Sequence, residues 1–317
     1  MRFHKSLLTG LTVVASLAMA SEALAGGRNP GSLLLYPEFD NVRGDVTVLT
    51  ITNTDDQNAA EVEFVYIGRY DRSSDGNVDC EEFNRTEILT PNDTLTLLTD
   101  NHNPQHERGY VYAFARDGVA NPVSHNALIG NVMMISGTSH IEYGLNAVSY
   151  RAINPSGEIE LNGNGLRDLD GVEYEGTPAE LYVPRFMGQG STFASELVLI
   201  GLTGGAAFDT TVDFLIYNDN EEVFSSEHTF YCWDRVKLED ISGIFMSWFL
   251  EMNTNHDPQE TLGAPAVESG WFKMKGAHAS SSSTTLPNPA IYGVLIEKIA
   301  SYGAADLPWE STELNLD

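Results

Sequence analysis

Residues 35–67 read LYPEFDNVRGDVTVLTITNTDDQNAAEVEFVYI, and the order of features in this stretch returns later in the chain. A Leu35-Tyr36-Pro37-Glu38-Phe39 opening precedes two runs rich in β-branched and aromatic residues, VTVLTIT (46–52) and VEFVYI (62–67). Both runs have strand composition, and the first half shows little of the 3.6 period that an amphipathic helix requires. In the second half LYVPRF (181–186), ELVLIGL (196–202) and VDFLIY (212–217) follow in the same order, with one residue inserted in the opening.

The parallel extends outward. Each half holds one cysteine with an aromatic-x-Arg behind it, Cys80 with Phe83 and Arg85, and Cys232 with Trp233 and Arg235. NHNPQ (101–105) is matched by NHDPQ (255–259), Gly109-Tyr110-Val111 by Gly270-Trp271-Phe272, and ALIGNVMMI (127–135) by AIYGVLIEKI (290–299). So many matches in one order predict a tandem duplication, with Cys80 equivalent to Cys232, His102 to His256 and Gly109 to Gly270. Short β-rich runs broken by Asn, Asp, Gly and Pro clusters predict an all-β protein of two tandem β-sandwich domains, immunoglobulin-like or jelly-roll. The expected organisation is a signal peptide (1–25), a first sandwich (26–153), a polar Gly-rich linker (154–178), a second sandwich (179–303) and an acidic tail (304–317). ISGIFMSWFLEM (241–252) is the one segment that reads as a short helix.

Charge and leader bound the partners. With 17 Lys+Arg against 45 Asp+Glu the formal charge is -28, which argues against nucleic acid and bare anionic membrane as partners. Arg2 and Lys5, an apolar run from Leu7 to Ala20 and the small-x-small pattern Ala23-Leu24-Ala25 predict export with cleavage near Ala25. The apolar run is short for a bilayer span and none of spanning length follows, so the mature chain is expected to be secreted or periplasmic. Exported thiols usually pair. For Cys80 and Cys232 the sequence leaves open an intramolecular disulfide, two separate buried thiols, or a link between molecules.

Between VEFVYI and the run beginning near Phe83 lies DRSSDGNVDCEE (71–82). Asp71, Ser73, Asp75, the carbonyl of Asn77, Asp79 and Glu82 stand at positions 1, 3, 5, 7, 9 and 12, with Gly76 at the sixth. This resembles the EF-hand calcium-binding loop, whose curled backbone brings about six oxygens onto a hard cation. The resemblance covers these twelve residues and implies calcium as a ligand. It does not imply the helix-opening motion of that family, because strand-like sequence flanks the loop.

His102, His106, His125 and His140 fall in the first half without metal-ligand spacing, and the NH[N/D]P segments read as turns. The arginines of the aromatic-x-Arg pairs are expected to stack or to meet carboxylates. Catalytic signatures such as G-x-S-x-G, H-E-x-x-H and S-x-x-K are missing from the chain. The expected function is therefore non-enzymatic: adhesion, extracellular-matrix or envelope structure, or subunit assembly, with other protein subunits or extracellular glycans as partners. The alternatives are a pair of carbohydrate-binding modules using Tyr110, Tyr112, Trp271 and Tyr292 as a platform, and a calcium-dependent hydrolase.

Overall fold

The computed structural model describes residues 29–68, 80–119, 121–137, 141–154, 169–190, 193–203, 208–252, 268–299 and 302–315. The protein is all-β. The first half contains β1 (Leu33–Asp40), β2 (Asp45–Asn53), β3 (Ala60–Gly68), β4 (Glu81–Leu89), β5 (Thr94–Leu98), β6 (Arg108–Arg116), β7 (Leu128–Ser136), β8 (Ile141–Asn146) and β9 (Val148–Tyr150). They make two antiparallel sheets, sheet I in the order β5-β2-β7-β8 and sheet II in the order β4-β3-β6-β1-β9.

After β10 (Thr177–Pro178) come β11 (Leu181–Met187), β12 (Phe193–Gly201), β13 (Asp209–Asn218), β14 (Val223–Tyr231), β15 (Trp233–Lys237) and β16 (Ser269–Ser280). They are followed by β17 (Thr285–Pro287), β18 (Ile291–Ile299), β19 (Tyr302–Asp306), β20 (Trp309–Glu310) and β21 (Leu314–Asn315). Sheet III runs β15-β12-β18-β19, and sheet IV runs β14-β13-β16-β11-β20 with β17 attached to β16. Setting β17 aside, III has the strand order of I and IV has that of II.

The repeated opening has a physical counterpart. Register shifts between Tyr36 and Phe39 in β1 and between Val183 and Phe186 in β11, so Pro37-Glu38 and Pro184-Arg185 sit in equivalent bulges. Proline has no N–H to give a ladder, and a bulge is where a strand tolerates it. Phe39 faces Gly109 and Phe186 faces Gly270 across the ladder. A Cβ on Gly109 would collide with the carbonyl of Ile67, and one on Gly270 with that of Tyr217, so close strand approach demands glycine at both.

Two tandem sandwiches joined by a linker are not what the chain forms. Four blade-like sheets pack with I against II, II against III and III against IV, and the halves also meet where β8 of sheet I lies against β19 of sheet III, a Cβ on Gly303 falling 2.9 Å from Ile141 Cβ. Between I and II, Tyr36 Oη donates to Thr50 O at 3.1 Å. Between II and III, Trp233 Nε1 donates to Pro37 O at 3.1 Å and Arg235 Nη1 meets Glu38 Oε1 at 2.7 Å. Between III and IV, Arg185 pairs with Glu297, and a Cβ on Gly293 would touch Met274 Cε. Because sheet II is covered on both sides, β1 (LLLYPEFD) is buried along its whole length. One apolar cluster runs through both halves.

Further boundaries shift for the same reason. Residues 155–168 of the expected linker lie outside the described residues, but Tyr174 is buried, Ala152 bridges to it, and β10 pairs with β21. The expected tail supplies most of β19 together with β20 and β21, and β20 pairs with β11. Residues 241–252 break into the end of a helix (Leu238–Ile241), a 3₁₀ turn (Gly243–Phe245) and a second helix (Ser247–Met252). Phe245 anchors the turn against Phe186, Phe214 and Phe272, at centroid distances of 5.1, 6.1 and 5.6 Å. The cysteines are not equivalent by topology: Cys80 precedes β4, whereas Cys232 lies between β14 and β15. The two aromatic-x-Arg segments, on β4 and β15, therefore match in composition alone.

Candidate functional site

Of the calcium-type loop, Asp71, Ser73, Asp75, Asn77 and Asp79 lie outside the described residues. Glu82 is exposed on β4, opposite Ile67, and accepts a hydrogen bond from Asn84 Nδ2 at 2.6 Å. Among the described residues no group of three or more His, Cys, Asp or Glu is arranged to hold a metal ion. Cys80, beside the loop, forms a disulfide with Cys232, with Cα atoms 6.2 Å apart. The loop's exit is thereby fastened to sheet III.

The described histidines of the first half have separate partners. His102 Nδ1 shares a hydrogen bond with Tyr66 Oη at 2.8 Å and its Nε2 faces Glu87 at 3.4 Å. His125 Nε2 is 2.8 Å from Asn53 Oδ1, and buried His106 lies against Asn103. His140 and His256 lie outside the described residues. Burial depresses the pKa of His102 and of His125, with Glu87 and Asp55 respectively opposing the shift. A histidine held neutral by the fold gains its proton more easily when unfolded, so its contribution is present above the ordinary imidazole pKa of 6.5 and is lost as pH falls below it. The urea midpoint of the wild type should carry this contribution between pH 7.5 and 5.5, and a His102→Gln/His125→Gln variant should lack it. Parallel pH profiles for the two proteins would contradict the assignment.

A charged seam joins sheets II and III, with Tyr143 of sheet I reaching into it. Arg235 meets Glu38 at 2.7 Å and Glu196 at 2.6 Å, Lys298 meets Glu196 at 2.6 Å, and Tyr143 Oη donates to Glu38 at 2.5 Å. Burial disfavours the Arg235 charge, but Glu38, Tyr143 and Glu196 outweigh it and raise its pKa. Glu196 is likewise opposed by burial yet lowered by Arg235 and Lys298. Tyr143 is raised by burial and then by Glu38, so its hydroxyl keeps its proton and donates. Every group answers another, which makes the seam a fastening between halves. Arg85 instead hydrogen-bonds His102 O at 3.2 Å and lies over the Phe83 ring at 5.2 Å.

A cleft of about 170 Å³ beside β11 and β19 is lined by Val183, Arg185, Leu295 and Trp309, with Asp306 the one carboxylate among the described residues lining it. The paired carboxylates that glycoside hydrolysis uses are not assembled in it. Of the expected aromatic platform, Tyr110 and Tyr292 are buried, and Tyr112 is half-buried against Phe114. Trp271 is exposed and stacks on Tyr217, with centroids 4.0 Å apart and planes 5° apart. Val223 faces Tyr217 across the ladder, Tyr182 faces Lys273, and exposed Trp309 faces Tyr182, all on the outer face of sheet IV. The register that unites them was beyond sequence reading.

No family model, no curated protein and no solved structure matches the chain. The site must be judged on its own chemistry. Its most unusual feature is the outer face of sheet I, where Val46, Leu98, Ile129, Met133 and Ile135 are each 37 to 43% exposed. They share that face because β2 and β7 alternate Thr47, Leu49, Ile51, Val132 and Met134 inward. Thr50–Thr96 and Thr52–Thr94 hydrogen bonds, at 3.2 and 2.9 Å, and the polar Asn131, Glu142 and Asn146 border the apolar patch on the same face. A contiguous apolar sheet face left to water marks a contact surface.

Proposed function

We propose that this is an exported, non-enzymatic protein whose work is done by its outer sheet faces, in adhesion, in matrix or envelope structure, or in subunit assembly. The observation that carries the reading is the apolar outer face of sheet I. The leader-like residues 1–25 support export to the periplasm or the medium, and among the described residues no helix is long and apolar enough to cross a membrane. Labelled wild-type protein, added to the extracellular matrix and envelope fraction of the producing cells, should be retained after washing. A Met133→Glu variant should be released, and equal retention of the two would overturn the reading.

Loop 71–82 supports calcium as a bound ion, since Asp71, Asp75, Asp79 and Glu82 repel one another until a cation is present. With a Kd of about 10⁻⁴ M, typical of extracellular sites, millimolar calcium should add roughly 1.4 kcal/mol to stability. Magnesium should add less. Asp71→Ala should abolish the shift, as read by thermal melting with and without chelator; an unaltered shift in that variant would end the assignment.

The stacked Tyr217–Trp271 pair and the Tyr182–Trp309 pair favour a second reading, in which sheet IV binds extracellular glycans through aromatic faces. A glycan array probed with wild type and with Trp271→Ala tests it. Signals equal in both would dismiss it.

A further inference from the structure

The contact between sheets II and III is the fold's own solution for covering a face of this design, and its two sides recur unused at the ends of the molecule. Sheet III covers the face of II that carries Leu35, Val65, Tyr110 and Phe114. The bulges align Gly109 with Gly270, Leu35 with Tyr182 and Val65 with Leu215, so the equivalent face of IV is the open one bearing Tyr182, Leu215, Tyr217 and Trp271.

The other partner recurs as well. Gly130 pairs with Ile51 and Gly293 with Leu199, which makes the face that III turns toward II equivalent to the outer face of I. At the positions where III carries Glu196, Lys237 and Lys298, sheet I carries Val48, Leu98 and Ile135. The outer face of sheet I is thus apolar at three positions where its buried equivalent is charged, while Thr50, Thr52 and Asn131 stand where III carries Val198, Ile200 and Val294 and Glu142 stands where it carries Gly303. Each molecule therefore ends in one IV-type face and one I-type face, the two halves of a contact it already makes internally.

We infer that the outer face of sheet I docks on the outer face of sheet IV of a second copy of this chain, repeating the II–III contact between molecules. The inference rests on the reading above and names its partner. The two faces differ, so the contact is heterologous and builds a head-to-tail chain or a ring, not a closed pair. The formal charge of -28 makes copies repel, so added salt should strengthen association.

Complementary variants provide the test. Sedimentation velocity of the purified chain at tens of micromolar, in low and high salt, should show species beyond a dimer that grow with concentration. Met133→Glu blocks the sheet I face and Trp271→Glu the sheet IV face; each alone should be monomeric, with association at least roughly 30-fold weaker. Mixed, they should form one-to-one dimers and stop, because one open pair of faces remains. Val46→Glu and Val223→Glu form a second pair should either first variant lose its native near-ultraviolet dichroism. A monomeric wild type at all concentrations, a mixture that stays monomeric, or single variants that assemble like wild type would each overturn the inference. Matrix retention by a wild type that stays monomeric would leave the broader reading standing without it.

Discussion

Replacing Cys80 and Cys232 together with serine is expected to lower the unfolding free energy by about 5 kcal/mol, the chain-entropy value for a bond closing a loop of this length. The bond spans a sequence separation of 152 and ties the start of β4 in sheet II to the start of β15 in sheet III. Without it the unfolded chain regains the freedom of that whole loop, while the native contacts between the sheets remain. For a chain of this size the loss corresponds to a fall of about 10 °C in the melting temperature. Calorimetry with and without reductant measures it directly. A change below about 1 kcal/mol, or alkylation of both thiols in unreduced protein, would contradict the linkage.

Arg235→Met should cost about 3–5 kcal/mol, because it strands charged partners that the fold has already removed from water. Glu38 is 3% exposed and would keep only the hydroxyl of Tyr143, while Glu196 would keep Lys298. The loss reflects an unanswered buried charge more than the worth of the pair, so Glu38→Met in the same protein should restore much of it. Urea unfolding of the two single variants and the double variant closes the cycle. Additive losses would show that Arg235 and Glu38 are not coupled across the seam.

How much of this was readable beforehand depends on what each residue reports. LYPEF and LYVPRF announce the duplication because they encode a bulge, a backbone event that each half must repeat. Gly109 and Gly270 could be matched for the same reason, since both answer a carbonyl that leaves no room for a Cβ. Cys80 and Cys232 could not. They stand at opposite ends of equivalent strands, and a local aromatic-x-Arg resemblance carries no information about hairpin register. The β-branched composition of VTVLTIT marks a strand, but with Val46 and Val48 on one face and Thr47, Leu49 and Ile51 on the other it is silent on which face is inward and on whether the opposite face meets water or another sheet. That silence explains the expectation of two sandwiches. It leaves equally open which of Tyr110, Tyr112, Trp271 and Tyr292 are covered, and it does not single out Tyr217, Tyr182 and Trp309. Residues 304–317 look like a tail in sequence because strands of two to five residues leave almost no period to detect.

The contact between the halves is, on the inference drawn above, also the contact between copies. The natural disulfide marks that contact and can be transposed. Ladder pairings place Glu221 of sheet IV at the position of Cys80 in sheet II, and Asp93 of sheet I at the position of Cys232 in sheet III. In an Asp93→Cys/Glu221→Cys protein, mild oxidation should link copies through these positions, giving a ladder of dimers, trimers and larger species on a non-reducing gel while either single variant gives none. The absence of a ladder in the double variant, or dimers from Asp93→Cys alone, would contradict the account.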